Sequence, residues 1–181
     1  MRGSRRQPSA RAKLRRSNLN DLDALLAIEA VFSVDRLSRR SFRHFVTSPN
    51  AALIVAEESG KLAGYVLVLF RPRSRLARLY SIAVAAHAGR RGFGPLLLAA
   101  AERAARRRGR EAMRLEVHEA NRRAIGRYQQ SGYRLFGRYR DYYDDHATAL
   151  RFEKPLGPYR ETSHTFKQIK TSAATGTRRL S

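Results

Sequence analysis

With 181 residues, 43% of them hydrophobic and 29% charged, the chain is long enough for one α/β domain with a real core and too short for two domains plus linkers. Its formal charge of +22 predicts attraction to polyanions, a class that includes nucleic acid, anionic membranes and phosphorylated small molecules. The lack of cysteine excludes disulfides, a thiol nucleophile and cysteine-ligated zinc, and the five histidines show no metal-ligand spacing, so no metal is expected.

Charge is unevenly spread. Residues 1–16 carry seven Lys/Arg and no acid, and residues 154–181 carry six against the single Glu161. Even without these ends the middle of the chain stays basic. No apolar run approaches the roughly 18 residues of a membrane span, so no membrane partner is expected. The N-terminus has no apolar segment of the secretory kind. Its Arg/Ser-rich composition would suit an organellar transit peptide, but a disordered basic tail on a cytoplasmic protein is the better reading. The expected layout is a basic tail over 1–11, a domain over 12–155 and a second disordered basic tail over 156–181.

In chain order, a short strand near 12–16 leads through Asn18 and Asn20 into a helix from about 21 to 31, with Leu22, Leu25, Leu26 and Ile28 at helical spacing. Ser38 reads as the N-cap of a second short helix that ends before Pro49. The pattern then alternates: strands over 51–57 and 61–70 flank the Ser59-Gly60 turn as a hairpin, and another strand covers about 77–84. A helix over 95–108 follows, with Pro95 in its first turn, arginines in its last turns and Gly109 just beyond. Met113, Leu115 and Val117 alternate with polar residues as a further strand, then come a helix over about 121–130 closed by Gly132 and two strands, 133–139 and about 147–154. The sum is an α/β (α+β) fold: a mixed, mostly antiparallel sheet of six or seven strands flanked by about four helices.

One segment stands out chemically. Gly89-Arg90-Arg91-Gly92-Phe93-Gly94 joins a strand to a helix N-terminus, where free backbone N–H groups and the positive dipole end favour an anion. Gly92 and Gly94 let phosphate oxygens approach the backbone, and Arg90 and Arg91 add charge. There is no Gly-Lys-Ser/Thr ending of a Walker loop, and Leu97 occupies the third-glycine position of a dinucleotide fingerprint. By itself the loop reads equally as an ordinary tight turn.

Three segments together are more specific. The run Leu79-Tyr80-Ser81-Ile82-Ala83-Val84, the glycine loop, and Arg114-Leu115-Glu116-Val117 leading to Asn121, Ala124, Ile125, Tyr128 and Gly132-Tyr133 resemble the GNAT acetyltransferase superfamily, and within it the RimI-like branch that acetylates protein N-termini. The resemblance spans about residues 12–155. It implies acetyl-CoA as co-substrate, with the pyrophosphate on the loop from Gly89 through Pro95, the pantetheine arm along the backbone of Ile82, Ala83 and Val84, and Asn121 orienting the cofactor. The loop departs from the family pattern at its first position, where Gly89 replaces Gln or Arg. From the residues alone, Asn121 also reads as a helix N-cap.

The same resemblance makes Glu116 the general base, acting through water, and Tyr128 the general acid toward the departing thiolate, with the Val84 N–H as oxyanion donor. Without it, Glu116 would be a surface carboxylate paired with an arginine, and Tyr128 an aromatic packing a helix on the sheet. The acceptor is expected to be a protein N-terminal α-amine of the ribosomal-protein type, bordered by Tyr142 and Tyr143, with Asp144 and Asp145 available to a cationic amine. Alternatives are a small-molecule amine acetyltransferase, or a basic module that binds nucleic acid or ribosomes without catalysis. A basic surface that docks the enzyme on ribosomes is compatible with the first reading.

Overall fold

The structure is a computed structural model that describes residues 12–31 and 36–158. The proposed basic tail over 1–11, and the C-terminal tail from residue 159 onward, lie outside the described residues.

Strand β1 (Lys13–Arg16) runs into a 3₁₀ turn (Leu19–Asp21) and then helix α1 (Leu22–Glu29), which ends two residues before the expected boundary. A charged knot holds this entry together. Asp21 accepts both terminal nitrogens of Arg15 at 2.8 Å and the Asn18 N–H at 2.8 Å, while Asn18 caps the turn in return. The Arg15 guanidinium holds the Asp21 carboxyl below its ordinary value. Helix α2 (Arg39–Thr47) starts on Ser38, whose Oγ accepts the Ser41 N–H at 3.1 Å, as the capping signal implied.

The remaining elements are strands β2 (Ala51–Glu58), β3 (Lys61–Phe70) and β4 (Leu76–Val84), helix α3 (Phe93–Arg107), strand β5 (Ala112–His118), helix α4 (Arg122–Gln130), and strands β6 (Arg134–Tyr139) and β7 (Ala149–Pro155). All seven strands form one sheet in the order β1-β2-β3-β4-β5-β7-β6. Every neighbouring pair is antiparallel except β4 with β5. That exception follows from the β4-α3-β5 crossover, since a helix between two strands returns the chain in the same direction. The mixed α/β sheet with four helices is the fold expected from the sequence.

Strand β3 is buried on both faces, which explains its unbroken apolar run. Tyr65 points to one face, edge-on to Phe42 of α2 with ring centroids 5.4 Å apart. Gly64 points to the other, under Leu97 of α3. There is no space for a side chain at Gly64: a Cβ would lie 2.5 Å from the Ala83 carbonyl oxygen and 2.9 Å from Leu97 Cδ1. Since one of these neighbours is backbone, Gly64→Ala is expected to cost about 1–3 kcal/mol and lower the melting temperature. An unchanged thermal melt would show that β3 and β4 can separate freely at this point.

Candidate active site

The site arises from a failure of pairing. Strands β4 and β5 share only three rungs, Leu76 with Ala112, Ala77 with Met113 and Arg78 with Arg114; beyond them the strands diverge. A bulge begins the divergence, for Leu67 of β3 pairs with Ser81 and Val68 with Leu79, leaving Tyr80 as the extra residue. Downstream, the Ala85 N–H donates to the Ala63 carbonyl at 2.9 Å. By strand alternation, the N–H groups of Ile82 and Val84 therefore point away from β3 and into the gap.

This gap is a cleft of about 1130 Å³, with the backbone run from Leu79 to Ala85 as one wall. Glu116, Val117 and His118 of β5 and the near face of α4 form the other. A second cavity of about 550 Å³ opens beside it, lined by Glu29, Arg36, Arg78, Ser81 and Tyr142 among others. The two cavities share Tyr80, Ser81, Ile82, Glu116 and Tyr143 as lining. The two cavities therefore adjoin, with Glu116 and Ile82 in the wall common to both.

The glycine loop closes one end of the cleft. Gly92 adopts φ 84° immediately before α3, a left-handed conformation that favours glycine. Helix α3 begins at Phe93, two residues earlier than the sequence pattern suggested, which places Pro95 third in the helix. The N–H groups of Phe93 and Gly94 lack intrahelical partners at such a position, and Pro95 has none to offer. Gly89 has φ −56°, so its backbone does not demand glycine. Gly89, Arg90, Gly92, Phe93, Gly94 and Pro95 all line the cleft. Arg91 does not: its guanidinium pairs with Glu58 at 2.5 Å and donates to the His87 carbonyl at 3.1 Å.

Glu116 lines both cavities and is also paired with arginine. Its Oε2 accepts from Arg78 Nε at 2.9 Å. Its Oε1 stands 3.8 Å from Arg151 Nε, beyond hydrogen-bond distance, and that buried Nε has no partner. Arg78 in turn donates to the Tyr142 hydroxyl at 2.9 Å. Burial pulls the Arg78 guanidinium down, but Glu116 and Tyr142 together outweigh it and the net shift is upward. The carboxylate thus stands between two arginines, hydrogen-bonded to Arg78 and ion-paired at longer range with Arg151.

Tyr128 is buried in α4, edge-on to Tyr133 at 5.8 Å, and lines the cleft. Burial pushes its phenol up to about 12. Asn121 also lines the cleft, and its Oδ1 caps α4 by accepting the Ala124 N–H at 3.1 Å. Tyr142 and Tyr143 line the smaller cavity. The acids beside them do not. Asp145 is bound to His118 Nε2 at 3.0 Å and to the Ala147 N–H at 3.1 Å, and neither it nor Asp144 lines the cavity.

The buried carboxylate of the smaller cavity is instead Glu29, from the end of α1. It is buried, takes the Leu37 N–H at 2.7 Å on Oε2 and the Tyr65 hydroxyl on Oε1. Tyr65 is further linked to Ser81 at 2.8 Å, and burial drives its phenol strongly upward. In the sequence Glu29 sits inside an amphipathic helix, and only its place among Leu25, Leu26 and Ile28 hinted that it was buried. Arg122, Arg123 and Arg127 of α4 also line the larger cleft and were not singled out by sequence reasoning. Among the described residues, no three His, Asp or Glu side chains converge as a metal site.

A strand that splays from its neighbour over a glycine-turned helix N-terminus, with a carboxylate in the wall between two cavities, gives the domain a cleft of the kind that holds an extended ligand. Residues 19–133 match the model of the Acetyltransferase (GNAT) family. The chain belongs to that family and is an N-acetyltransferase. Two relatives extend the comparison. A Bacillus subtilis protein, provisionally named a [ribosomal protein bS18]-alanine N-acetyltransferase, is 28% identical over 75% of this chain and 89% of its own length. An N-alpha-acetyltransferase of Sulfurisphaera tokodaii is 29% identical over 80% of this chain and 93% of its own. Among solved structures, the ribosomal-protein-S18-alanine N-acetyltransferase of Escherichia coli superposes with a TM-score of 0.73, at 24% identity, covering 85% of this chain and 99% of that one.

Proposed function

We propose that this protein transfers the acetyl group of acetyl-CoA to the N-terminal α-amine of a protein, and that Glu116 and Tyr128 carry the proton transfers. The observation that carries the reading is the position of Glu116 in the wall common to the two cavities, with Oε2 fixed by Arg78. The fit of acetyl-CoA to the larger cavity rests on three features of this chain. The outward-facing N–H groups of Ile82 and Val84 suit an extended pantetheine amide, which would add to β4 as a strand does. The first turn of α3 offers N–H groups to a diphosphate. Arg90, Arg122, Arg123 and Arg127 surround it with positive charge.

When bound, acetyl-CoA supplies an activated acyl carbon and a thiolate leaving group. The chain's own residues do the rest. A water on Glu116 Oε1 takes the amine proton, the Val84 N–H faces the developing oxyanion, and the Tyr128 hydroxyl donates toward the sulfur. Chemistry favours the α-amine as acceptor. Its ordinary pKa of about 7.7–8.0, against about 10.4 for lysine, makes a neutral amine roughly 3–4 kcal/mol cheaper near neutrality. Arg36 and Arg78 on the acceptor side also offset Glu29 and Glu116, so the cavity does not concentrate cations. The names of the two relatives point to the same acceptor class.

The test is a peptide array with acetyl-CoA and mass readout. Peptides with a free N-terminus and no lysine are expected to gain one acetyl group, and N-blocked peptides with internal lysine none. Modification confined to lysines, or to a polyamine or other small amine, would overturn the α-amine assignment while leaving the acetyltransferase itself intact.

A further inference from the structure

Arg127 stems from a helix end that favours a cation and reaches another that does not. It lies in the last turn of α4, half-buried, and its guanidinium crosses to the start of α3. A Cβ on Gly94 would meet Arg127 Nη1 at 2.8 Å and Cζ at 3.1 Å, so the glycine leaves the space in which the guanidinium rests. The first turn of a helix is its positive end, and a cation placed there is repelled unless an anion joins them. Arg91, by contrast, has its partner in Glu58. Among the described residues Arg127 has no ion-pair partner.

We propose that Arg127 is the cation that grips the diphosphate of acetyl-CoA, completing with the Phe93 and Gly94 N–H groups an anion seat that the side-chain-less Gly89 cannot supply. This inference rests on the cleft being the acetyl-CoA site. A guanidinium offers a planar fork to phosphate oxygens, and such charge-assisted bonds are the strong ones. The unfavourable pairing of Arg127 with the α3 dipole is then relieved only when the ligand is present. Gly94 contributes by being small.

The test combines calorimetric titration with acetyl-CoA and turnover with acetyl-pantetheine, which carries no phosphate. Arg127→Ala is expected to weaken acetyl-CoA binding roughly tenfold to a hundredfold, Arg127→Lys to recover part of the loss, and kcat/KM for acetyl-pantetheine to stay within about twofold of wild type. Without ligand, Arg127→Ala should melt close to wild type, because the repulsion it removes at α3 is set against the favourable place of the cation at the end of α4. Wild-type affinity for acetyl-CoA in Arg127→Ala, or equal losses with the two donors, would overturn the role. Failure of the unaltered protein to bind acetyl-CoA would instead overturn the reading of the cleft.

Discussion

Glu116→Gln is expected to lower kcat/KM by about 10²–10⁴-fold while leaving the acetyl-CoA dissociation constant within about twofold of wild type. Glutamine keeps the shape of the side chain and a carbonyl oxygen for Arg78, but it cannot take a proton. The substitution also removes the charge facing Arg78 and Arg151, so a modest fall in melting temperature should accompany it. The two effects separate by measurement: calorimetry reports the cofactor site, the melt reports the arginines, and single-turnover kinetics report the proton. Raising the pH should recover part of the lost rate, since a larger fraction of the amine is then already neutral. Turnover at the wild-type level would remove Glu116 from the chemistry and leave it as the arginine-paired acid that the residues without the family resemblance suggest.

Tyr128→Phe is expected to slow transfer by roughly 10²-fold at constant fold. The phenol has no hydrogen-bond partner among the described residues and is desolvated, so removing its hydroxyl should not lower the melting temperature. The pH dependence has a definite sign. Burial raises the folded value to about 12, above the ordinary 10, so the neutral phenol favours the folded state fully below pH 10, and that contribution is lost as pH rises through 12. Between pH 6 and 10 the tyrosine stays protonated and ready to donate. The rate profile of Tyr128→Phe should therefore keep the wild-type shape at lower height. Wild-type rates in this variant would mean that Tyr128 only packs α4 on the sheet.

Much of the fold was legible because short-range signals agree with the final packing. Ser38 caps α2, Ser59-Gly60 turns the hairpin, and Asn121 caps α4, each by side-chain or backbone chemistry confined to a few residues. Boundaries were less legible where tertiary contacts extend an element. Helix α3 starts at Phe93 because Gly92 turns left-handed just before it, and Pro95, the visible punctuation, is only the third residue in. The Tyr80 bulge had no local signature, since it depends on register with β3.

The candidate site divides in the same way. Glu116, Tyr128 and Asn121 stood out through their resemblance to a known family and the glycine loop through its composition, and all but Arg91 of the loop line one cleft. Their partners did not, because contacts such as Arg78 with Glu116 or Glu29 with Tyr65 join strands and helices 36 or more residues apart. Among so many arginines no rule of spacing distinguishes Arg127 from Arg91, although one faces the cleft and the other is held by Glu58. Asp144 and Asp145 were drawn toward the acceptor by proximity in sequence to Tyr142 and Tyr143; the turn instead directs Asp145 to His118.

The three rungs between β4 and β5 also bear on how the domain comes apart. Strands β1–β4 and β5–β7 are two blocks joined along one short seam and bridged by α3, which packs on both. Such a seam is the natural boundary between cooperative units, and opening there would cost less than global unfolding. A ligand lying across the splayed strands would tie the blocks together, so amide exchange at Ile82 and Val84 and the sharpness of the melt should respond to the same occupant.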